Sequence, residues 1–268
     1  MIRLAWLLRI AITAVLAAAL GKAPCAFAEE PHRTVVIDPG HGGVDLGARS
    51  AGGVLEKELT LAVAKKLALL LLEQGTDVVL TRATDVFVAL AERTEIANRA
   101  HAALFVSIHA NSAPEKDVAG AETYFLSLEA SDDEAMRVAM TENDVFKQEG
   151  TADEGRDRVG AILGDLIRTE HLRESSALAA SIQRQLARLP GPSRGVKQAP
   201  FVVLTGVNMP AALVEIGFIT NPAEAERMGQ RGRQDAIAKA LAAAIGEAMV
   251  QNREARIATD EPRTLEKR

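Results

Sequence analysis

The 268-residue chain holds a single cysteine, Cys25, and it lies inside an N-terminal stretch that reads as a cleavable leader. Arg3 and Arg9 precede the apolar run Ile10 to Leu20, and Ala26-Phe27-Ala28 offers small residues around a cleavage point before Glu29. Charges at Arg9 and Lys22 interrupt the run, so it falls short of the roughly 20 uncharged residues that a membrane-spanning helix needs. Lys22-Ala23-Pro24 before the cysteine does not look like a lipoprotein signal. A mature chain beginning near Glu29 has neither disulfides nor thiolate ligands, and any metal must then be held by His, Asp or Glu. A basic stripe is also missing: the formal net charge is −5, which argues against a nucleic-acid partner. No internal repeat is seen, no serine or cysteine nucleophile with a paired base is evident, and the H-E-x-x-H arrangement is absent.

What is present is an ordinary globular balance, 48% hydrophobic and 25% charged, on a chain long enough for one large core or two small ones. From residue 33 short β-rich runs alternate with helical ones. Strands are predicted at Thr34 to Ile37, Asp77 to Leu80, Leu104 to Ile108, Thr123 to Leu126, Phe201 to Leu204 and Ala212 to Ile216. Helices are predicted at Leu59 to Leu72 (closed by Gly75), Ala89 to Ala100, about Ser131 to Lys147, about Arg158 to Leu189, and Arg233 to Val250. Parallel neighbours need crossover connections, so this alternation predicts a single α/β domain with a mostly parallel twisted sheet flanked by helices on both faces. The expected organisation is a leader over 1–28, a catalytic domain over 33–250 with a helical insertion at 127–189 before the last strands, and a polar, aperiodic tail over 251–268.

Three residues stand out. His41 lies in "DPGHGGVDLGA" at the exit of the first strand, and His109 leaves "LFVSIHANS" in the same way. The carboxyl ends of strands form the binding crevice of open α/β sheets, so the two imidazoles can converge. Glu215 sits among apolar residues in "PAALVEIGFITNP", where a carboxylate is costly unless paired, metal-bound or raised in pKa. Two histidines and one acid from separate strands can hold zinc and leave a position open for water. A phosphate cradle would want a lysine at a strand-to-helix turn, whereas Gly40, Gly42 and Gly43 surround an imidazole. His32 falls in the frayed start, His101 at a helix end where a cation suits the dipole, and His171 on a charged helix face.

In order along the chain, "VVIDPGHGGVDLGA", "GGVLEKELTLAVAKKL", "VVLTRATDVFVALAERTEIAN", "FVSIHANS", "GAETYFLS" and "PAALVEIGFITNPAEAE" resemble the zinc-dependent N-acetylmuramoyl-L-alanine amidases of the amidase-3 type, over about residues 34 to 250. The resemblance implies that His41, Glu56 of "LEKEL" and His109 are zinc ligands and that Glu215 is the catalytic glutamate. Glu58 is the rival to Glu56. Zinc would lower the pKa of its water to roughly 7 and polarise the amide carbonyl, with Glu215 moving the proton. The implied bond joins the lactyl group of N-acetylmuramic acid to L-alanine of the stem peptide, and a leader fits that location, implying the periplasm. Two competing readings are a zinc carboxypeptidase or endopeptidase acting on stem peptides, and a wall-binding module without catalysis.

The segment 127–189 resembles the insertion of the cell-division amidases, in which a helix blocks the site and a glutamate reaches the zinc until an activator removes it. Ser131 and Glu134 form a capping-box pattern. Ala135, Val138, Ala139, Val145 and Phe146 fall on one helical face with Glu142 near its middle. The resemblance implies that Glu142 takes the open zinc position and that a LytM-type activator pulls the helix away. Those amidases often carry an N-terminal β-rich targeting domain; here the resemblance starts a few residues after the leader, so septal targeting is not carried over.

Overall fold

The computed structural model describes residues 34–144 and 169–260. The leader over 1–28, His32, the segment around Val145 and Phe146, and the last eight residues lie outside the described residues.

Strand β1 (Thr34–Pro39) is followed by helix α1 (Glu56–Glu73), β2 (Asp77–Leu80), α2 (Leu90–Arg99), β3 (Leu104–Asn111) and β4 (Ala121–Leu126). Then come α3 (Asp133–Asn143), α4 (Thr169–Leu186), β5 (Ser193–Ala199), a short 3-10 turn (Val202–Leu204), β6 (Ala211–Phe218), α5 (Pro222–Gly229) and α6 (Arg231–Asp260). The six strands form one sheet in the order β2-β1-β3-β6-β4-β5. Every pair is parallel except β4 with β6, which runs antiparallel.

Side-chain alternation divides the core into two layers. One face of the sheet, through Ile37, Val106 and Val214, packs against Leu59, Val63, Leu67 and Leu71 of α1, Leu178 and Ile182 of α4, and Leu241 and Ile245 of α6. On each helix these positions recur every four residues, which makes a continuous stripe toward the sheet. The other face, through Val36, Phe105, Leu213 and Tyr124, packs against Ala97 of α2, Ala135, Val138 and Ala139 of α3, and Phe201, Val203 and Leu204. Helices thus cover both faces, as the alternation predicts.

The structure departs from the sequence reading in several places. The apolar run Phe201 to Leu204 is not a strand: Val202–Leu204 is the 3-10 turn, and the strand precedes it at Ser193–Ala199. That polar strand sits at the sheet edge, where few side chains need burying. Helix α3 is capped by Asp132, whose side chain accepts from Ala135 N at 2.7 Å, while Ser131 Oγ accepts from Gln198 N. Among the described residues of 127–189, α3 covers the sheet face that carries His109 and Glu215, and α4 packs on the opposite face; both lie in the β4-to-β5 crossover. Helix α6 continues to Asp260, ten residues into the segment read as a tail, and α5 is an element that the sequence reading passed over. Among the described residues no helix is long and apolar enough to cross a membrane.

Candidate metal centre and active site

Register brings the site together. His109 on β3 pairs with Glu215 on β6, and Glu215 with Glu122 on β4, so the three side chains form a row on the face that α3 covers. The backbone N–H of Gly40 donates to the carbonyl of Ile108 at 2.9 Å, which delivers the next residue, His41, beside the end of β3. A Cβ at Gly40 would lie 2.4 Å from the His109 ring. At Gly47, where φ is +63°, it would lie 2.6 Å from the His41 ring and 2.7 Å from Glu56. Both positions need glycine because backbone passes where a side chain would displace a site residue.

His41 itself has φ of 60°, a strained conformation for a residue with a Cβ, and a dense polar clamp holds it. Arg93 donates to the carbonyls of Pro39 and His41 at 2.8 and 2.9 Å, and Arg82 to those of Pro39 and Gly40 at 2.9 and 2.8 Å. Arg93 also pairs with buried Asp38 at 2.7 Å, and Ser107 donates to the same carboxylate. Burial alone would raise the Asp38 pKa, but the Arg93 charge and these hydrogen bonds outweigh it and hold the carboxyl below its usual 3.8. Asp45 lies 2.9 Å from His41 Nδ1. A proton on that nitrogen leaves the Nε2 lone pair facing the centre.

Four donors converge there: one atom each from His41, Glu56, His109 and Glu142, all within 4.8 Å of one another. Glu56 Oε1 is 3.1 Å from His41 Nε2 and 3.3 Å from His109 Nδ1. Glu142 Oε2 is 2.8 Å from His109 Nδ1 and 3.4 Å from His41 Nε2. These are ion-pair distances without hydrogen-bond alignment, and His41 Nε2, His109 Nδ1 and Glu142 Oε2 are buried with no hydrogen-bond partner. Donors whose carboxylate-to-imidazole separations of 2.8–3.4 Å lie near the roughly 3.3 Å between ligands of a tetrahedral ion held at about 2.0–2.1 Å suit a small cation such as zinc. Burial works to lower the His109 pKa, but the carboxylates of Glu142 and Glu56 override it and push it up to about 10. The same two carboxylates raise His41, and the imidazoles in turn hold Glu56 and Glu142 below the usual carboxylate range against their burial.

Glu56 is the first residue of α1 and is fixed from both sides: Ala48 N donates to Oε2 at 2.8 Å and Ala110 N to Oε1 at 2.9 Å. Glu58 is exposed and outside the centre. Glu215 is fully buried with neither oxygen hydrogen-bonded. Burial, then the Glu142 charge, pushes its pKa well above the usual value. It is not one of the four converging donors. His101 lies in the exposed turn after α2, and His171 pairs with Glu174 on α4 at 3.0 Å; neither reaches the site. Arg82, Arg93, Asp38 and Asp45 are the residues that sequence reasoning missed. "TRATD" and "AERTE" give no sign of pointing at carbonyls some 40 to 50 positions away.

A mostly parallel sheet with converging imidazoles and carboxylates at its strand ends defines an α/β enzyme whose site could hold a metal ion. Comparison with known proteins agrees. The chain belongs to the Amidase_3 family, N-acetylmuramoyl-L-alanine amidase, which it matches over residues 35–247. It is 38% identical over 216 residues to the N-acetylmuramoyl-L-alanine amidase AmiA of Escherichia coli, covering 80% of this chain and 75% of that one. It is 33% identical over 213 residues to AmiC of Neisseria meningitidis, covering 79% of this chain and 51% of that one. Among solved structures it is similar to the amidase AmiC2 of Nostoc punctiforme, with a TM-score of 0.62 and 33% identity over 81% of this chain and 97% of that one. The protein is thus an N-acetylmuramoyl-L-alanine amidase acting on peptidoglycan, and the stem-peptide peptidase considered beside it gives way.

Proposed function

We propose that this amidase is a zinc enzyme, exported through its leader to the periplasm and kept closed by its own helix α3 until an activator of the LytM type draws that helix away for cell-wall remodelling or daughter-cell separation. The observation that carries the reading is that Glu142, from helix α3, joins His41, Glu56 and His109 in one set of four converging donors, and that His41 Nε2, His109 Nδ1 and Glu142 Oε2 are buried with no hydrogen-bond partner. His41, Glu56 and His109 are the resident ligands in this reading. A bound zinc ion supplies a Lewis acid for the amide carbonyl and makes water acidic enough to serve as a nucleophile near neutral pH.

The protein's own residues do the rest. Asp45 orients the His41 ring, and the Arg82–Arg93 clamp fixes the loop that presents it. Glu215, beside His109 in register, accepts the proton of the attacking water and passes it to the departing L-alanine nitrogen. One water is consumed, the lactyl carboxylate forms, and the stem peptide leaves as a free amine. Glu142 and the substrate compete for one position, so the helix must leave before the amide enters. The leader supports export.

Three measurements on the purified protein test the zinc and bond assignments together. One zinc per chain, activity lost to chelation and restored by zinc, and intact stem peptides in the mass spectrum of the digest are expected. Full activity after exhaustive chelation, or stem peptides cut internally, would overturn the reading.

A further inference from the structure

A second charged cluster lies on the same face, two to three strands from His109. Its centre is Glu122, fully buried on β4 beside Glu215. One oxygen accepts from neutral donors, Asn111 Nδ2 at 2.6 Å and the Tyr124 hydroxyl at 2.7 Å. The other faces two cations from β5, Arg194 Nε at 3.0 Å and Lys197 Nζ at 3.2 Å. Lys197 is in register with Tyr124 and so shares the face of the site, and an irregularity places Arg194 between the pairs Ala121–Ser193 and Glu122–Gly195. Extra residues of this kind re-aim a side chain, and Arg194 joins Lys197 on Glu122.

One buried carboxylate cannot balance two cations. The surplus is met from α3: Arg194 also pairs with Glu134, and Lys197 lies 3.3 Å from Glu134 and 3.4 Å from Asp132. The helix whose last turn carries Glu142 to the metal donors therefore anchors its other end on these two cations. If α3 leaves, one positive charge stays uncompensated, held in place by Glu122, on the face where the substrate must lie. Eight residues separate Glu134 from Glu142, about 12 Å along a helix, and three strand spacings from β3 to β5 give about 14 Å. An extended peptide covers that distance in about three to four residues. A short peptide that begins at the amide to be cut ends in a free carboxylate, and one of three or four residues places it at that distance.

From this we infer that Arg194 and Lys197 form a carboxylate subsite of the amidase, which α3 fills with Glu134 and Asp132 in the closed state and a stem-peptide carboxylate three or four residues from the scissile amide fills in the open one. The inference rests on the autoinhibition reading above. It makes α3 an imitation of the substrate at two points, Glu142 at the metal position and the Asp132–Glu134 pair at the cations.

The test uses full-length wild type, Glu142→Ala, and Glu142→Ala with Lys197→Gln, on two muramoyl tetrapeptides. In one the third and fourth residues carry free carboxylates; in the other those groups are carboxamides. Glu142→Ala is expected to show a KM about tenfold lower for the carboxylate substrate, and Lys197→Gln is expected to bring the two KM values together. A purely structural role for Lys197 would not change that ratio. Fast hydrolysis by Glu142→Ala without preference overturns the subsite and leaves autoinhibition standing. A preference that survives Lys197→Gln also overturns it. Equal rates for wild type and Glu142→Ala on both substrates remove autoinhibition, and the subsite falls with it because α3 then never vacates the cations. Should Lys197→Gln fail to fold, the substrate comparison in Glu142→Ala decides alone.

Discussion

Glu56 enters the centre from α1 and Glu142 from α3, and the two carboxylates differ in what holds them. Both Glu56 oxygens accept backbone N–H groups, and nine of the 18 residues of α1 are buried, including Leu59, Val63, Leu67 and Leu71 in the larger core layer. Glu142 Oε2 has no hydrogen-bond partner, and only three of the 11 residues of α3 are buried, two alanines and a valine. Polar contacts supply the rest of its attachment: Asn143 bridges Pro200 O and Val202 N at 2.9 Å each, Arg137 reaches Ser112 O, and the first turn rests on Arg194 and Lys197. Apolar burial is lost outright when an element leaves, whereas part-buried polar contacts are exchanged for hydrogen bonds to water at a smaller net cost. Glu56 is thus held more firmly than Glu142, in keeping with the proposal that α3 is the helix that leaves.

Substitutions on the two sides should therefore diverge. The largest effect is expected at Glu56→Gln, which should lower zinc affinity by at least about 100-fold, since even outer partners of metal ligands cost about 10- to 100-fold; titration of the metal-free protein with zinc measures it. Next is Arg93→Met, which strips Asp38 of its buried partner and frees the His41 loop. Breaking a buried pair costs about 3–5 kcal/mol, and a thermal melt should show the loss. Asp132→Ala removes the α3 cap, worth about 0.5–2 kcal/mol, and weakens one anchor of the closed state. It should leave the melt nearly unchanged while raising the basal rate, and a large drop in melting temperature with no gain in rate would blur the distinction between the helices.

The smallest effect is one of pH. The Asp38 pKa is lowered from 3.8 in the folded protein, so its contribution is fully present above the unfolded value and is lost as pH falls through the folded one. Melts of wild type from about pH 5 downward should lose stability more steeply than those of Asp38→Asn, and parallel curves would deny the clamp this role.

How much of this was legible in the sequence follows from physical range. His41 and His109 could be found because each leaves an apolar strand at a turn, and Glu215 because an acid inside "PAALVEIGF" has no local reason to be there. Glu142 stood out against a local apolar stripe. Glu56 needed the family resemblance, and the structure favours it over Glu58 through burial. Strand β5 was missed because "SRGVKQA" is polar and half exposed, while the more apolar "FVVL" beside it fills the core as a turn. Arg93 with Asp38, and Arg194 with Glu122, join positions 55 and 72 residues apart. Their pairing is a product of the sheet order and leaves no periodic trace in the chain.

The central claim is that Glu142 is a removable fourth donor that keeps the amidase closed. Release of dye from labelled peptidoglycan by purified wild type and Glu142→Ala, without any activator, tests it most directly. A rise of about 5- to 150-fold, the range of typical coupling energies, is the predicted result; an unchanged or lower basal rate in a variant that still binds zinc and melts like wild type would contradict it.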